Sequence, residues 1–312
     1  MRARYIVLSL VLLGAIAPFF VYPTFLMKVL CFALFATAFN LLLGFGGLLS
    51  FGHAAYFGGA AYVCGAVIKQ WGLTPELGIL AGAIYAAVTG ALFGWIAVRR
   101  SGIYFAMITL ALSQLIFFLA LQLPFTGGEE GVQGIPRGRL FGVIDLHDNI
   151  PMYYFVVAVC GAGFWLVYRT IHSPFGHAMS AIRENEPRAT SLGYDVAHYK
   201  LLAFILSATV AGVAGALKSL VFQLATLTDV HWHMSGQVVL MTIVGGLGTI
   251  FGPAIGALTI VSLENQLADR VGSWVTVIMG FIFVLCVLLF RRGMVGEFNA
   301  WRLSRRTVRD GK

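Results

Sequence analysis

Apolar runs about as long as a membrane span recur from one end of the chain to the other. A bilayer core about 30 Å thick is crossed by about 20 helical residues. The first run extends from Tyr5 to about Val21, behind Arg2 and Arg4. The second is Phe25–Leu43, broken by Gly44-Phe45-Gly46-Gly47. Ser50-Phe51-Gly52-His53 opens a third, to about Ile68. Leu73–Val98 is the fourth, closed by Arg99-Arg100, and Ile103–Leu123 is the fifth. Pro151–Val167 is the sixth, closed by Arg169, and Leu201 to about Leu224 is the seventh. Gln237–Leu263 is interrupted by Gly245-Gly246-Leu247-Gly248 and by Gly252-Pro253, so it is one long broken helix or two short spans meeting near Gly248. Trp274–Phe290 comes last, before Arg291-Arg292 and a basic tail. The short alternating segments of a transmembrane barrel are absent. The pattern predicts an all-α, polytopic helical membrane protein with a single transmembrane domain over residues 1–312.

Two polar stretches interrupt the pattern. Thr126–Asn149 sets Glu129, Glu130, Asp145 and Asp148 against Arg137 and Arg139. Its glycines (Gly127, Gly128, Gly131, Gly134) suggest a flexible loop, and the acidic part is a surface another protein could meet. The second stretch, Ser173–Lys200, is the longer. Arg183, Glu184, Glu186, Arg188, Asp195 and Lys200 keep it out of lipid, where each charge costs at least ~2.5–3.5 kcal/mol. It carries helix punctuation. Ser173 before Pro174 reads as an N-cap followed by the first helical residue. Asn185 reads as the cap of a second short helix, with Pro187 in its first turn, where a missing N–H costs nothing. Gly193 stands where a left-handed glycine would stop that helix. A plain connector is only a few residues long. Two capped helices held at both ends by membrane therefore read as a docking element.

Composition sharpens the class. The chain is 59% hydrophobic and 11% charged, with a mean hydropathy of +0.87; a soluble domain is nearer a quarter charged. Its 37 glycines fit helices that pack closely in lipid. The net charge of +8 would point to nucleic acid in a soluble protein, but here the cations lie in short loops and the tail. The positive-inside rule explains them better, and no nucleic-acid partner is expected. Counting the Gln237–Leu263 region as two spans gives ten helices. With the amino terminus inside, fifteen of the 21 Lys and Arg then fall on the inner side. Lys69, Arg137, Arg139 and Arg270 fall outside. Nine helices would put the seven tail cations outside, so ten helices with both termini cytoplasmic is the expectation. The first run resembles a secretory signal, with Ala15-Ile16-Ala17 as cleavage tripeptide. Pro18 after the cut, and continuation to Val21, favour an uncleaved helix. Cys31, Cys64, Cys160 and Cys286 all sit in apolar spans and read as buried free thiols. Tyr22, Trp71, Tyr153, Tyr154 and Trp274 stand at span ends, where aromatic belts form. Lys28 and Lys218 lie near span ends and read as snorkelling cations. Glu264 and Asn265 read as the start of an outer loop.

No phosphate-binding G-x-x-x-x-G-K-[ST] loop occurs, nor any H-E-x-x-H, C-x-x-C or G-x-S-x-G motif. An ATP-driven role would need a separate ATPase chain, and no cofactor is expected on this one. Three stretches carry a family resemblance. Asn40–Tyr62, NLLLGFGGLLSFGHAAYFGGAAY, resembles a motif of the permease subunits of bacterial branched-chain amino acid ABC importers. Ser173–Ala208 resembles the cytoplasmic loop and following helix of the LivM-type half of that permease pair. Gly245–Ala257, GGLGTIFGPAIGA, resembles a third motif shared by both permease types. The resemblance implies a ten-helix permease of the type II importer class in the bacterial inner membrane. It implies pairing with a sister permease as a heterodimer, two cytoplasmic ATP-binding subunits and a periplasmic substrate-binding protein.

The candidate site residues follow. In the central loop, Glu184–Leu192 would lie in a groove on an ATPase subunit. Arg183, Glu184, Glu186 and Arg188 would make polar contacts while Ala189 and Leu192 fill an apolar pocket, with Asn185 and Gly193 as caps; helix-in-groove docking needs few apolar anchors. Asn40, Ser50 and His53, among glycines, read either as a broken helix lining a polar cavity on the translocation path or as close packing with interhelical hydrogen bonds. Gly245, Gly246, Gly248, Gly252 and Pro253 read as a hinge or gate, or as a tight hairpin turn, the turn being preferred. Among functions, import of small hydrophobic amino acids leads. Sister families carry urea or short amides on a similar scaffold. An ion-gradient transporter would place carboxylates inside the bundle, and the expected spans hold essentially none. A membrane enzyme would need clustered acid, base or metal-binding groups, and His53 has no visible partner.

Overall fold

A computed structural model of the chain describes residues 14, 17–142, 144–271, 277–278, 280–282, 284 and 293–294. Most of the first and last expected spans, Arg291, Arg292, Cys286, Trp274 and nearly all of the 291–312 tail lie outside the described residues. Helix α1 is Pro23–Asn40 and runs on through a π-helical turn, Leu41–Phe45. Helices α2 (His53–Trp71), α3 (Pro75–Ala97) and α4 (Ile103–Gln122) follow. Beyond them come short strands β1 (Val132–Gln133), β2 (Arg139–Leu140) and β3 (Ile144–Asp145), then α5 (Asn149–Ile171). The central stretch folds as α6 (Pro174–Glu184) and α7 (Glu186–Ser191) before α8 (Val196–Phe222). Strand β4 (Leu224–Ala225), a single turn α9 (Leu227–Val230), α10 (Trp232–Gly245) and α11 (Gly252–Val271) complete the described fold.

The all-α membrane architecture is as the apolar pattern predicts. Among the described residues five helices are long and apolar enough to cross a membrane: Pro23–Phe45, Pro75–Ala97, Ile103–Gln122, Asn149–Ile171 and Val196–Phe222. Helix α3 shows how the outer face is made. Leu80, Ile84, Val88, Leu92 and Trp95 form one stripe at helical spacing, each more than half exposed. An apolar stripe of this extent is unfit for water and suits lipid.

The centre is α8, packed against α1, α2 and α3. Small residues let these backbones approach, the mode expected where lipid removes the hydrophobic drive between helices. A Cβ on Gly215 would lie 1.9 Å from the Phe57 carbonyl oxygen, and one on Gly212 would lie 2.3 Å from the Ala86 methyl. Helix α2 is buried along most of its length for the same reason: its face is glycine and alanine.

The structure corrects several expectations. The 126–149 stretch is a shaped strap. β1 pairs antiparallel with β4, Val132 opposite Ala225. The Arg137 side chain, 8% exposed, donates to the carbonyl oxygens of His147 and Val221 and to Asn149 Oδ1. It so caps the end of α8, and burial lowers its guanidinium from the usual range. The glycines there take positive φ and make turns. Gln237–Leu263 is two helices joined at 246–251, the alternative that the charge count favours. Glu264 is helical, within α11, where it accepts from Gln237 Nε2 at 3.2 Å and faces Lys28 Nζ at 4.0 Å. Lys218 does not snorkel; it is buried in an ion pair with Asp229. Tyr153 is buried and donates to the Gly14 carbonyl instead of standing in an aromatic belt. Cys31, Cys64 and Cys160, as expected, are buried free thiols.

Candidate functional site

The punctuation of the central stretch is realised. Ser173 Oγ accepts from the Gly176 N–H at 3.4 Å, and Asn185 Oδ1 accepts from the Arg188 N–H at 3.0 Å. Gly193 ends α7 at φ +89°. Each cap satisfies an orphan N–H of the first turn. A small core closes the unit: Ile182 of α6, Ala189 of α7 and Val196 of α8, with Tyr199 against them. Glu186 Oε2 pairs with the buried Lys200 Nζ at 2.7 Å. Ala189 is therefore spent inside the unit at 3% exposure and is closed to a partner, contrary to the expected docking role. Leu192, at 70% exposure, is open, and so are Glu184 and Arg188.

One face of α6 is pressed onto the bundle. Met179 and Arg183, four residues apart, share a helix face. Met179 Cε lies against Gly46, and the Arg183 stem lies against Gly47, where a Cβ would be 2.9 Å from Arg183 Cγ. The Arg183 guanidinium donates to the Gly44 carbonyl oxygen, in the π-helical turn that ends α1. Its Nη1 also lies beside Gly248. Gly47 takes φ +70° and could carry a side chain in neither the space nor the backbone conformation.

The glycine turn between α10 and α11 meets the same place. Gly248 donates its N–H to Asn40 Oδ1 at 3.0 Å, and Asn40 Nδ2 donates to the Thr249 carbonyl oxygen at 2.9 Å. Asn40, 1% exposed, thus clamps the turn with both ends of its amide. Gly246 at φ +121° and Gly248 at φ +70° make the bend. Thr249 Oγ1 bridges it, donating to the Gly246 carbonyl at 2.8 Å and accepting from the Gly252 N–H at 3.1 Å. A Cβ on Gly245 would fall 2.0 Å from the Gly252 carbonyl oxygen, so the two helices touch where they part, with Pro253 in the first turn of α11. Three motifs far apart in sequence, 40–47, 183 and 245–253, are one junction.

His53 and Ser50 lie deeper. His53, fully buried, is ringed by Phe39, Tyr56 and Phe204. Ser207 donates its hydroxyl to the Ala38 carbonyl at 2.6 Å, so the 2.8 Å contact to His53 Nε2 has the imidazole as donor. Nδ1 is then a bare acceptor without a partner among the described residues. Three N–H groups around the start of α2 are satisfied by hydroxyls. Phe51 donates to Thr109 Oγ1, Gly52 to Ser50 Oγ and Ala54 to Ser235 Oγ. Sequence reading missed Thr109, Ser207, Ser235, Thr249 and Met179. For Thr109 and Ser207 the available signal was a hydroxyl inside an apolar run; the others gave none. Among the described residues no cluster of three or more His, Cys, Asp or Glu forms a metal site.

Asn40→Ala is expected to leave Gly248 N–H and Thr249 C=O buried without partners, at about 1–3 kcal/mol per group. The purified protein should melt at lower temperature, and Asn40→Asp, which sets a buried carboxylate oxygen against the Thr249 carbonyl, should lose at least as much.

No solved structure matches the chain. It is 26% identical over 248 residues to the high-affinity branched-chain amino acid transport system permease protein LivM of Escherichia coli K12, covering 72% of this chain and 57% of the relative. The Salmonella typhimurium LT2 protein of the same name is 25% identical over the same shares. The autoinducer 2 import system permease protein LsrC of Klebsiella pneumoniae is 26% identical over 230 residues, 70% of this chain and 65% of the relative. The matched region thus spans less than two thirds of each relative's length. The family model of the permease component of branched-chain amino acid transport systems matches residues 22–287, which include every element of the junction. The chain belongs to that permease family.

Proposed function

We propose that this chain is the permease subunit of an ATP-driven importer that moves branched-chain or related hydrophobic amino acids inward across the bacterial inner membrane. The observation that carries the reading is the junction. Arg183 leads from a capped, solvent-exposed helix pair straight to the Gly44 carbonyl and the Gly248 turn. A push on α6 and α7 would reach the broken end of α1 and the α10–α11 hinge together. Separate ATPase subunits dock on the 173–200 loop through Leu192, Glu184 and Arg188, and ATP is used by them alone. A sister permease and a periplasmic binding protein complete the assembly. The central loop and both chain termini face the cytoplasm, in a ten-helix arrangement. The LsrC matches favour a second reading, an autoinducer 2-like cargo, on the same coupling scheme.

The test is reconstitution with the ATPase chains. Gly193→Ile strains a residue held at φ +89° with open space around it, so only the backbone of the cap is disturbed. Loss of leucine uptake and of ATPase stimulation is expected, with the permease still inserted. Unchanged coupling, or labelling of Thr190→Cys by an impermeant thiol reagent from outside intact cells, would sink the scheme. Uptake of autoinducer 2 in place of leucine would select the second reading.

A further inference from the structure

Lys218 and Asp229 face each other inside the bundle. Lys218 Nζ donates to both carboxylate oxygens, at 2.6 and 2.5 Å, and the side chains are only 11% and 3% exposed. The same carboxylate accepts from the Thr226 N–H and hydroxyl, at 3.3 and 3.0 Å. Lys218 belongs to α8, long and apolar enough to cross a membrane, and lies one turn before its end. The single turn α9 carries Asp229 in to meet it. The backbone of Asp229 and Val230 rests on Gly58 of α2, where a Cβ would fall 2.5 Å from either residue. One turn further along that face of α2 stands Tyr62, 2% exposed, whose hydroxyl has no partner among the described residues. On the other side the Thr226 hydroxyl meets that of the exposed Thr228 at 2.7 Å, so a polar step leads from the surface to the pair.

Asp229 also closes a capping box with Thr226 at the start of α9, a local role that does not call for a buried cation beside it. Apolar residues of similar volume hold a core as well as a buried ion pair, or better. An unpartnered buried hydroxyl costs stability without return. Ionisable groups within membrane helices mark functional sites. One cation and one anion side by side, with a spare hydroxyl donor, complement the two charged groups of a free amino acid.

We propose that Lys218, Asp229 and Tyr62 form a binding subsite for the α-ammonium and α-carboxylate of a zwitterionic amino acid; this rests on the amino-acid import reading above. The ion pair opens, Asp229 takes the ammonium, and Lys218 and the Tyr62 hydroxyl take the carboxylate. The pair occupies its own site until the ligand replaces each partner.

The assembled transporter, with Tyr62→Phe and with the double variant Lys218→Met, Asp229→Leu, tests this. Tyr62→Phe removes a hydroxyl that bonds to nothing among the described residues. A purely structural residue would leave uptake unchanged and stability equal or higher. The subsite predicts equal or higher stability together with a leucine half-saturation raised about tenfold, as for one lost hydrogen bond to a charged group. The double variant should assemble and lose leucine uptake. Unchanged half-saturation in Tyr62→Phe, or full uptake by the double variant, overturns the subsite; should the double variant fail to assemble, Tyr62→Phe decides alone. A wild type that carries autoinducer 2 and none of leucine, isoleucine or valine would remove the amino-acid reading and the subsite together. A wild type that carries them, with variants that match it, removes the subsite only.

Discussion

Arg183→Ala is expected to cut uptake by about tenfold or more while the ATPase subunits stay bound. The side chain bonds inward to the Gly44 carbonyl, so its loss leaves Leu192, Glu184 and Arg188 free to dock. A hydrogen bond from a charged donor contributes about 1.5–3 kcal/mol, which corresponds to roughly a tenfold or larger factor. On the proposed coupling, what is lost is the link between the docked helix and the π-helical end of α1. Arg183→Lys keeps the charge but lacks the planar fork that reaches Gly44 and Gly248 together, so it should recover only part of the activity. Co-purification of the ATPase chains, measured beside uptake in proteoliposomes, separates the two effects. Loss of ATPase binding in Arg183→Ala would place the residue at the partner surface instead.

Gly215→Val should have the largest effect on stability. Its first added carbon would sit 1.9 Å from the Phe57 carbonyl oxygen, and the obstacle is backbone, which cannot swing aside. Overpacking a close contact costs about 1–3 kcal/mol and can cost more, against a total stability of about 5–15 kcal/mol. Here α8 must separate from α2, which also disturbs the neighbouring contacts at Gly212 and Gly90. Little intact protein should accumulate in the membrane, and what remains should melt early. Gly161→Ala is the control. It lies in α5 with nothing near the added carbon, and a helix gains up to about 1 kcal/mol from that change. Equal melting temperatures for the two variants would contradict the close α2–α8 approach.

Much of this was legible in the chain. Span-length apolar runs announced the helices, because lipid forces every backbone group to bond within its own segment. Ser173, Pro174, Asn185, Pro187 and Gly193 announced α6 and α7, because caps and stops act within one turn of chain. The three stretches that turned out to matter were visible as motifs. Their joining was not, and neither was the role of Ala189, which reads as a docking anchor until Ile182 and Val196 cover it. The strap at 126–149 read as flexible since nothing local says that Arg137 will find Val221.

The sequence by itself determined that the chain is a helical membrane protein with a capped helix pair set between two of its helices. These are consequences of composition and of interactions a few residues long. Only the tertiary structure decided that Asn40, Arg183 and Gly248 share one junction, and that Lys218 is buried against Asp229. The physical reason is range. Hydropathy and capping are summed along the chain, whereas a hydrogen bond spanning 208 residues of sequence depends on which backbones approach, and glycine permits that approach without naming the partner.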